Sequence, residues 1–171
     1  MIIKRTIEID YGHTLPNHFS FCNQIHGHRG VIIAAIQGKV NNKKGDSSQG
    51  MVKDFKIVKE VMIEKIHKVL DHGFAVWEQD DRPVEIPVKI EKPRRYDAIL
   101  ITTREFIEAR NDKVLITFEP PTAEYLAKWA FNQIYEDLTD NDVQLVSVEW
   151  KETPNSTAIY SFTDFDKDQK Q

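Results

Sequence analysis

The sequence predicts an α+β protein in which two helices cover one face of an antiparallel four-stranded sheet. Apolar residues alternate with a period of two in some segments and recur every three or four residues in others, which distinguishes strands from helices. The order is strand, strand, helix, insert, helix, strand, strand, and strands in adjacent pairs favour an antiparallel sheet. The 171 residues correspond to one domain at roughly 100 to 200 residues per domain. We therefore expect one domain over residues 1–171, with an insert at about 79–119.

The first two strands are predicted at the N-terminus. Residues Ile2 to Ile9 alternate in polarity, and Val31 to Val40 is rich in β-branched residues. A polar and aromatic loop, Thr14 to Gln24, separates them, so we expect an antiparallel pair. Segment 41–50 has no apolar side chain and is predicted to be a solvated loop.

Two helices follow from the apolar spacing. The first begins after Asp54 as N-cap, and its predicted apolar stripe is Phe55, Val58, Met62, Ile66 and Val69. The second begins after Thr122, and its predicted buried face is Leu126, Ala127, Ala130, Phe131, Ile134 and Leu138. It should end near Asp140 and Asn141.

The end of the chain and the insert complete the predicted elements. Val143 to Trp150 and Thr157 to Phe162 are predicted strands, and the polar tail beyond them is expected to be frayed. The insert contains two short strand-like runs, Ala98 to Thr102 and Val114 to Phe118, and a basic cluster, Lys92 to Arg95. A surface lid, an accessory hairpin and partial disorder all fit this composition.

Composition excludes several classes of protein. The chain has 23 Lys plus Arg and 27 Asp plus Glu, a net charge of −4, so it lacks the broad basic surface of a nucleic-acid-binding protein. No window approaches the roughly 20 apolar residues of a membrane span, and the N-terminus lacks the apolar core of a signal peptide. Its single cysteine, Cys22, fits a reducing compartment. We expect a cytoplasmic protein without nucleic-acid or membrane partners.

Histidines are concentrated near the N-terminus: His13, His18, His26 and His28 are four of the six in the chain. His26 and His28 are two residues apart and share one face of a strand, and His13 ends the preceding strand. If the two strands form a hairpin, these three imidazoles can converge. Three histidines without a fourth protein ligand are typical of a catalytic zinc site. Alternatively they lie in a polar loop and bind nothing; His18 is better explained as a surface or packing residue.

Cys22 precedes His26 by four residues, and its role is open on spacing alone. It could be a fourth ligand that closes a structural zinc site, a nearby base or nucleophile with a lowered pKa, or an inert buried thiol.

Three other ionisable residues have two interpretations each. Asp71 and His72 could form a proton-transferring pair or simply end the first helix, where a protonated histidine suits the helix dipole. Glu152 could be a solvated carboxylate or a ligand anchor.

Six short motifs occur in order along the chain, outside the insert. They are Gly12-His13, Cys22-Asn-Gln-Ile-His26-Gly-His28, Gly50-Met-Val-Lys-Asp-Phe55, Leu70-Asp71-His72, Pro121-Thr122-Ala123-Glu124, and Glu152-Thr153 with Tyr160 following. Together they resemble the family of 6-pyruvoyltetrahydropterin synthase and 6-carboxytetrahydropterin synthase, whose domains have the tunnelling fold.

The resemblance implies a role for each matching residue. It makes His13, His26 and His28 ligands of Zn²⁺, Cys22 a catalytic base outside the ligand set, and Asp71 with His72 a proton-transferring pair. It makes Glu152 the carboxylate that binds the pterin, since a carboxylate can accept two parallel hydrogen bonds from the guanidine-like pterin edge. Thr122 and Glu124 would support the pterin pocket.

The spacing of three residues between Cys22 and His26 looks like the 6-carboxytetrahydropterin synthase branch of queuosine and deazapurine biosynthesis. The implied substrate is 7,8-dihydroneopterin triphosphate, converted to 6-carboxy-5,6,7,8-tetrahydropterin with loss of triphosphate and acetaldehyde. A 6-pyruvoyltetrahydropterin synthase, a pterin side-chain lyase and a non-catalytic zinc or pterin-binding module remain alternatives.

The chain departs from the family pattern in two places. Arg29-Gly30 follows the H-G-H motif where an aromatic residue is usual, and the insert lengthens the connection before Pro121. Arg94 and Arg95 could meet the triphosphate, although a solvated basic turn is the simpler interpretation.

The resemblance also implies a homo-oligomer, a hexamer built as a dimer of trimers, with Glu152 in a pocket shared between chains. Edge-to-edge assembly would remove the unpaired outer strands of the predicted sheet.

Overall fold

A six-stranded mixed sheet is the centre of the fold. The structure is a computed structural model that describes residues 1–89, 96–102 and 113–170. Its strands are β1 (Ile2–His13), β2 (His26–Gly38), β3 (Gly73–Trp77), β4 (Pro83–Lys89), β5 (Tyr96–Thr102), β6 (Val114–Thr117), β7 (Val143–Thr153) and β8 (Ser156–Ser161). The strand order in the main sheet is β6-β3-β1-β2-β7-β8, and β4 pairs with β5 in a second sheet.

Four α-helices accompany the sheet within the described residues. They are α1 (Phe55–Met62), α2 (Lys68–Leu70), α3 (Ala123–Leu138) and α4 (Phe162–Asp168), and a π-helical turn, Ile63–His67, joins α1 to α2. Within the described part of the chain, no helix has the length and apolar content needed to cross a membrane.

The longest strand pair is β1 with β2, which confirms the predicted antiparallel pairing. Its register runs from Ile2 opposite Gln37 to His13 opposite His26. The buried side chains of β1 alternate and end at His13, so one face of this pair belongs to the core and continues to the histidines.

The prediction of an antiparallel four-stranded sheet is wrong in strand number and in direction. β3 pairs parallel to β1, and β6 pairs parallel to β3, so the sheet is mixed and has six strands. β3, GFAVW, is short and shows no alternation of polar and apolar residues, so the period of two that predicts a strand is absent there. Its partner β1 lies about 60 residues earlier in the chain, a distance at which local sequence patterns do not specify pairing.

The insert divides between the two sheets. β4 and β5 form an antiparallel hairpin of their own, and β5 contains the predicted run Ala98 to Thr102. The second predicted run contributes β6 to the main sheet. Lys92 to Arg95 lie outside the described residues.

The first helical segment confirms its predicted start and the middle of its predicted stripe, but not the two ends of that stripe. The Asp54 carboxylate accepts a hydrogen bond from the Lys56 amide, as an N-cap does. Phe55 and Val69 are exposed, however, and the buried residues are spaced by four: Val58, Met62, Ile66 and Leu70. A π-helical turn is wider than an α-helical one, so Leu70 rather than Val69 continues the apolar face.

Helix α3 matches its prediction in full. Thr122 caps it by accepting from the Tyr125 amide, and all six predicted face residues are buried. They pack in one core cluster with residues of α1, the π-helical turn and the sheet.

The prediction of a frayed tail is wrong over residues 163–168, and the predicted strand that precedes it ends at Ser161 rather than at Phe162. Helix α4 begins with a capping box, in which Ser161 and Asp164 exchange side-chain and backbone hydrogen bonds. Phe162 and Phe165 also pack against the core, which stabilises a helix that is too short to form alone.

Candidate metal centre

Three histidines meet at the end of the β1–β2 pair. His13 lies opposite His26 in the register, and His28 lies opposite Tyr11. One ring nitrogen from each of His13, His26 and His28 lies within 4.8 Å of the other two. The convergence predicted from the hairpin is therefore present.

The glycine between the two histidines permits this close approach. A Cβ atom at Gly27 would lie 2.7 Å from the Tyr11 carbonyl oxygen, a collision with a backbone atom that cannot easily move. Gly27 thus allows β2 to come close to β1 at the point where the imidazoles meet.

Backbone carbonyls orient two of the rings. His13 Nδ1 lies 2.7 Å from the Pro121 carbonyl oxygen, and His26 Nδ1 lies 2.8 Å from that of Gln24. A carbonyl only accepts, so each Nδ1 carries the proton and each Nε2 offers a lone pair. This outer hydrogen bond is typical of metal-binding histidines.

The histidine group fits a metal ion by its unsatisfied atoms. Within the described residues, the buried Nε2 atoms of His13 and His28 have no hydrogen-bond partner. Buried polar atoms without partners are rare and costly, and a cation at the centre of the group would satisfy both.

Burial favours the neutral form that binds metal. Burial is the main cause that lowers the pKa of His13 to about 4, against a smaller opposing effect of the Pro121 carbonyl. Burial also lowers the pKa of His28, and the Glu152 carboxylate opposes that shift. At neutral pH these imidazoles are uncharged ligands rather than cations.

Glu152 lies beside the same group. Its Oε1 atom is 3.5 Å from His13 Nε2 and 3.7 Å from His28 Nε2. Trp150 Nε1 donates to the Tyr11 hydroxyl over 3.1 Å, and that hydroxyl donates to Glu152 Oε1 over 3.5 Å. Tyr11 is buried, which raises the pKa of its phenol, so it remains a donor that directs the carboxylate towards the histidines.

Asp71 and His72 pair with each other and stand outside the group of three histidines. His72 Nδ1 is 2.8 Å from Asp71 Oδ2, and the amide of Asp10 donates to Asp71 Oδ1 over 3.0 Å. Asp10 alternates with Tyr11 along β1 and so faces the other side of the sheet. His72 lines an open cleft of about 460 Å³ together with Asp10 and Arg29, and His28 of the histidine group lines the same cleft.

The Asp71–His72 pair has two unusual features. Burial alone would raise the pKa of Asp71, but hydrogen bonds from the Asp10 amide and from His72 hold it below its usual value. His72 has a φ of 55°, uncommon for a residue with a side chain and frequent at functional sites. Its side chain is 76% exposed, so it is open to another molecule.

The remaining predicted residues occupy distinct positions. Cys22 lies in a 3₁₀ turn, Phe21–Asn23, and is partly buried. Among the described residues, the atoms that could hold a metal ion together are those of the three histidines, and the Cys22 sulfur is not among them. Thr122 follows the Pro121 carbonyl that holds His13, and Glu124 is exposed on the first turn of α3. His18 stacks on Phe19, in agreement with a packing role.

Several residues of the site were not predicted. Tyr11 lies two residues before His13 on the same strand face, so the period of two could have identified it. Pro121 and Trp150 contribute through contacts more than 100 residues away along the chain, for which the sequence offers no local signal.

Comparison with known proteins places the chain in a family. The fold and the histidine group define an α+β protein with a candidate metal centre, and the family model described as 6-pyruvoyl tetrahydropterin synthase matches residues 2–162. The chain belongs to this family.

Relatives support a lyase-type enzyme of pterin synthesis. A Pyrococcus horikoshii protein with the provisional name 6-carboxy-5,6,7,8-tetrahydropterin synthase is 33% identical over 168 residues, covering 95% of this chain and 93% of the relative. A Rickettsia conorii protein named 6-carboxy-5,6,7,8-tetrahydropterin synthase is 30% identical over 152 residues, covering 88% and 93%.

The fold is also that of solved members. A catalytic-residue variant of Plasmodium vivax 6-pyruvoyltetrahydropterin synthase superposes with a TM-score of 0.59 at 19% identity, covering 94% of this chain and 97% of that one.

Replacing Tyr11 tests the hydrogen-bond chain that ends at Glu152. Tyr11→Phe leaves the buried Trp150 Nε1 without its acceptor, so we expect a loss of about 1 to 3 kcal/mol in the free energy of unfolding. Urea unfolding measures it. Tyr160→Phe is the control, because it removes a hydroxyl that bonds to the exposed Asp168 and should lower the free energy of unfolding by less. Equal decreases in the two variants would contradict the importance of the buried hydrogen bonds of Tyr11.

Proposed function

We propose that this protein is a zinc-dependent 6-carboxytetrahydropterin synthase of queuosine and deazapurine biosynthesis. It would convert 7,8-dihydroneopterin triphosphate and one water molecule to 6-carboxy-5,6,7,8-tetrahydropterin, triphosphate and acetaldehyde, as a carbon-carbon and carbon-oxygen lyase. The observation that supports it most is the group of three histidine nitrogens within 4.8 Å. The names of the relatives favour this product over 6-pyruvoyltetrahydropterin.

We assign the metal to His13, His26 and His28. Two of the rings are oriented through Nδ1 by backbone carbonyls, which leaves Nε2 for the ion. When bound, zinc supplies Lewis acidity towards the oxygens of the pterin side chain and so acidifies the adjoining C–H bonds.

Proton transfer is assigned to Cys22 and to the pair of Asp71 and His72. Cys22 lies four residues before His26 and stands outside the histidine group, as a base must if it is to reach substrate rather than metal. Asp71 fixes the ring of His72 through Nδ1, leaving Nε2 to take or give a proton.

We assign Glu152 the role of binding the edge of the pterin ring. Its Oε1 atom lies 3.5 Å from His13 Nε2, so the carboxylate stands at the edge of the histidine group. A pterin ring held there through two parallel hydrogen bonds would bring its side chain close to the three histidines. Thr122 and Glu124, next to the Pro121 carbonyl, are assigned to the wall of the same pocket.

We further propose that the site is completed by a neighbouring chain in a hexamer formed as a dimer of trimers. The His72 side chain is 76% exposed, and the cleft that it lines is open to solvent in the single chain. An imidazole exposed in this way can act on a substrate that another chain holds.

Product analysis tests the reaction. Incubation with 7,8-dihydroneopterin triphosphate should yield 6-carboxy-5,6,7,8-tetrahydropterin and acetaldehyde by mass spectrometry. A 6-pyruvoyl product or 6-hydroxymethylpterin would replace the proposal with the corresponding synthase or side-chain lyase. Pterin binding without any product would favour the non-catalytic module.

Elemental analysis tests the metal. We expect one zinc per chain in protein purified without chelators, and its loss in His28→Ala, which removes one of three ligands. His18→Ala is the matched control because His18 lies outside the group, and it should retain zinc. Metal-free wild-type protein would count against the assignment.

Cys22→Ala separates a base from a ligand. Zinc content and melting temperature should stay unchanged while turnover falls about 100-fold or more, as for loss of a general base. Loss of zinc and a lower melting temperature would instead make Cys22 a ligand, since metal binding is coupled to folding.

Mixing two inactive variants tests the shared site. Cys22→Ala and His72→Ala should each lose turnover, and co-assembled oligomers should regain part of it because some sites then contain both intact residues. Light scattering should show a hexamer. A monomer at working concentration, or mixtures that stay inactive, would contradict the proposal.

A further inference from the structure

The Cys22 loop, residues 14–25, joins the two strands that contain the metal-site histidines. It has little apolar anchoring of its own, since Phe19 is 96% exposed and Phe21 is 89% exposed. The Leu15 amide donates to the Cys22 carbonyl across the base of the loop, and three further backbone hydrogen bonds form short turns within it. These bonds do not attach the loop to the rest of the fold, so contacts from outside the loop help to set the position of the Cys22 thiol.

Arg82 provides such contacts to both ends of the loop. Its Nη1 atom donates to the Asn23 carbonyl over 2.5 Å, and Nη2 donates to the Thr14 hydroxyl over 2.7 Å. The same hydroxyl donates to the Asn23 carbonyl over 3.0 Å. Three groups thus form a closed hydrogen-bonded triangle across the base of the loop.

Asp80 holds the guanidinium in place. Its two carboxylate oxygens accept from Nε and Nη2 of Arg82 over 2.8 and 2.7 Å, and its side chain is fully buried. The Asp80 amide donates to the carbonyl of Trp77, the last residue of β3. The ion pair is therefore anchored on the main sheet at the start of the insert.

The bonded residues adjoin the two functional ones. Thr14 follows His13, and Asn23 follows Cys22. We propose that Arg82 and Asp80 are positioning residues that fix the Cys22 thiol relative to the histidine group. This inference rests on the proposed function in that Cys22 serves as the base. It gives the first residues of the insert a role in the active site.

The chemistry of the two residues suits this role. A planar guanidinium can bond a carboxylate through two nitrogens and still reach other acceptors, whereas an ammonium is a point charge without that geometry. Misplacement of a catalytic group by about 1 Å can cost about 100-fold in rate, so the triangle has a measurable effect on turnover.

The main test uses a double variant, Asp80→Asn with Arg82→Gln. Changing both residues avoids leaving a buried carboxylate without its partner. We expect kcat to fall about tenfold or more while KM changes little, with zinc content unchanged. Amide hydrogen exchange at Leu15 and Asn23 and alkylation of Cys22 by iodoacetamide should both become faster, because the loop is released.

Two further variants test whether the hydrogen-bond geometry at Arg82 and Thr14, rather than charge, holds the loop. Arg82→Lys keeps the charge but loses the planar geometry, so its exchange and alkylation rates should be intermediate. Thr14→Val removes one corner of the triangle without changing charge or shape, and it should accelerate the same two rates even if the double variant does not fold.

The matched control is Lys65→Ala with Asp137→Asn. This change removes an ion pair of 3.3 Å between the π-helical turn and α3, away from the loop, and it should leave both rates as in the wild type.

The outcomes separate this inference from the proposed function. If the double variant and Thr14→Val exchange and alkylate at wild-type rates, the positioning role is overturned whatever the turnover. Loss of zinc in the double variant would also overturn it, because the contacts would then support the metal centre itself. If the wild-type protein forms no product but hydrogen exchange and alkylation are faster in the variants, the proposed function is wrong. The inference that Arg82 and Asp80 fix the position of Cys22 is then still supported.

Discussion

The register of the β1–β2 pair is the constraint on which the site depends. His13 faces His26 across the strands, and His28 follows on the same face. A shift of one residue would turn the paired side chains of one strand to the opposite side of the sheet, separating the imidazoles. Burial of Ile7, Ile9 and Tyr11 on the core face specifies that register, so the same hydrophobic pattern that forms the core also assembles the histidine group.

The polar groups around the histidines continue this coupling between core and site. Helix α3 is held on the sheet by its apolar face, and the residue before its cap, Pro121, offers the carbonyl that orients His13. Trp150 belongs to the core, and through Tyr11 it directs Glu152. Packing of the helix and of β7 therefore decides the protonation and direction of side chains that no local motif could orient.

The histidine group and the pair of Asp71 and His72 would serve different parts of the proposed reaction. The three histidines lie at the end of the β1–β2 pair, while Asp71 accepts from the Asp10 amide and His72 is exposed in a cleft that His28 also lines. An exposed pair of this kind is consistent with the proposed assembly, in which the pair of one chain meets the substrate held by another. The insert adds a further element, since its first residues bond to the loop that contains Cys22.

Sequence alone determined the features that local pattern encodes: the β1–β2 hairpin, the cap and buried face of α3, and the convergence of three histidines. These follow from periods of two and 3.6 residues, which depend only on neighbours along the chain. Tertiary structure decided the parallel strands β3 and β6, the shift of the first helix to Leu70, and the docking of α4. It also decided the contact of Asp71 with the Asp10 amide, 61 residues away, and the contact of Arg82 with Thr14, 68 residues away. Which residues become partners depends on which surfaces are buried together. That packing depends on the whole chain rather than on any one segment.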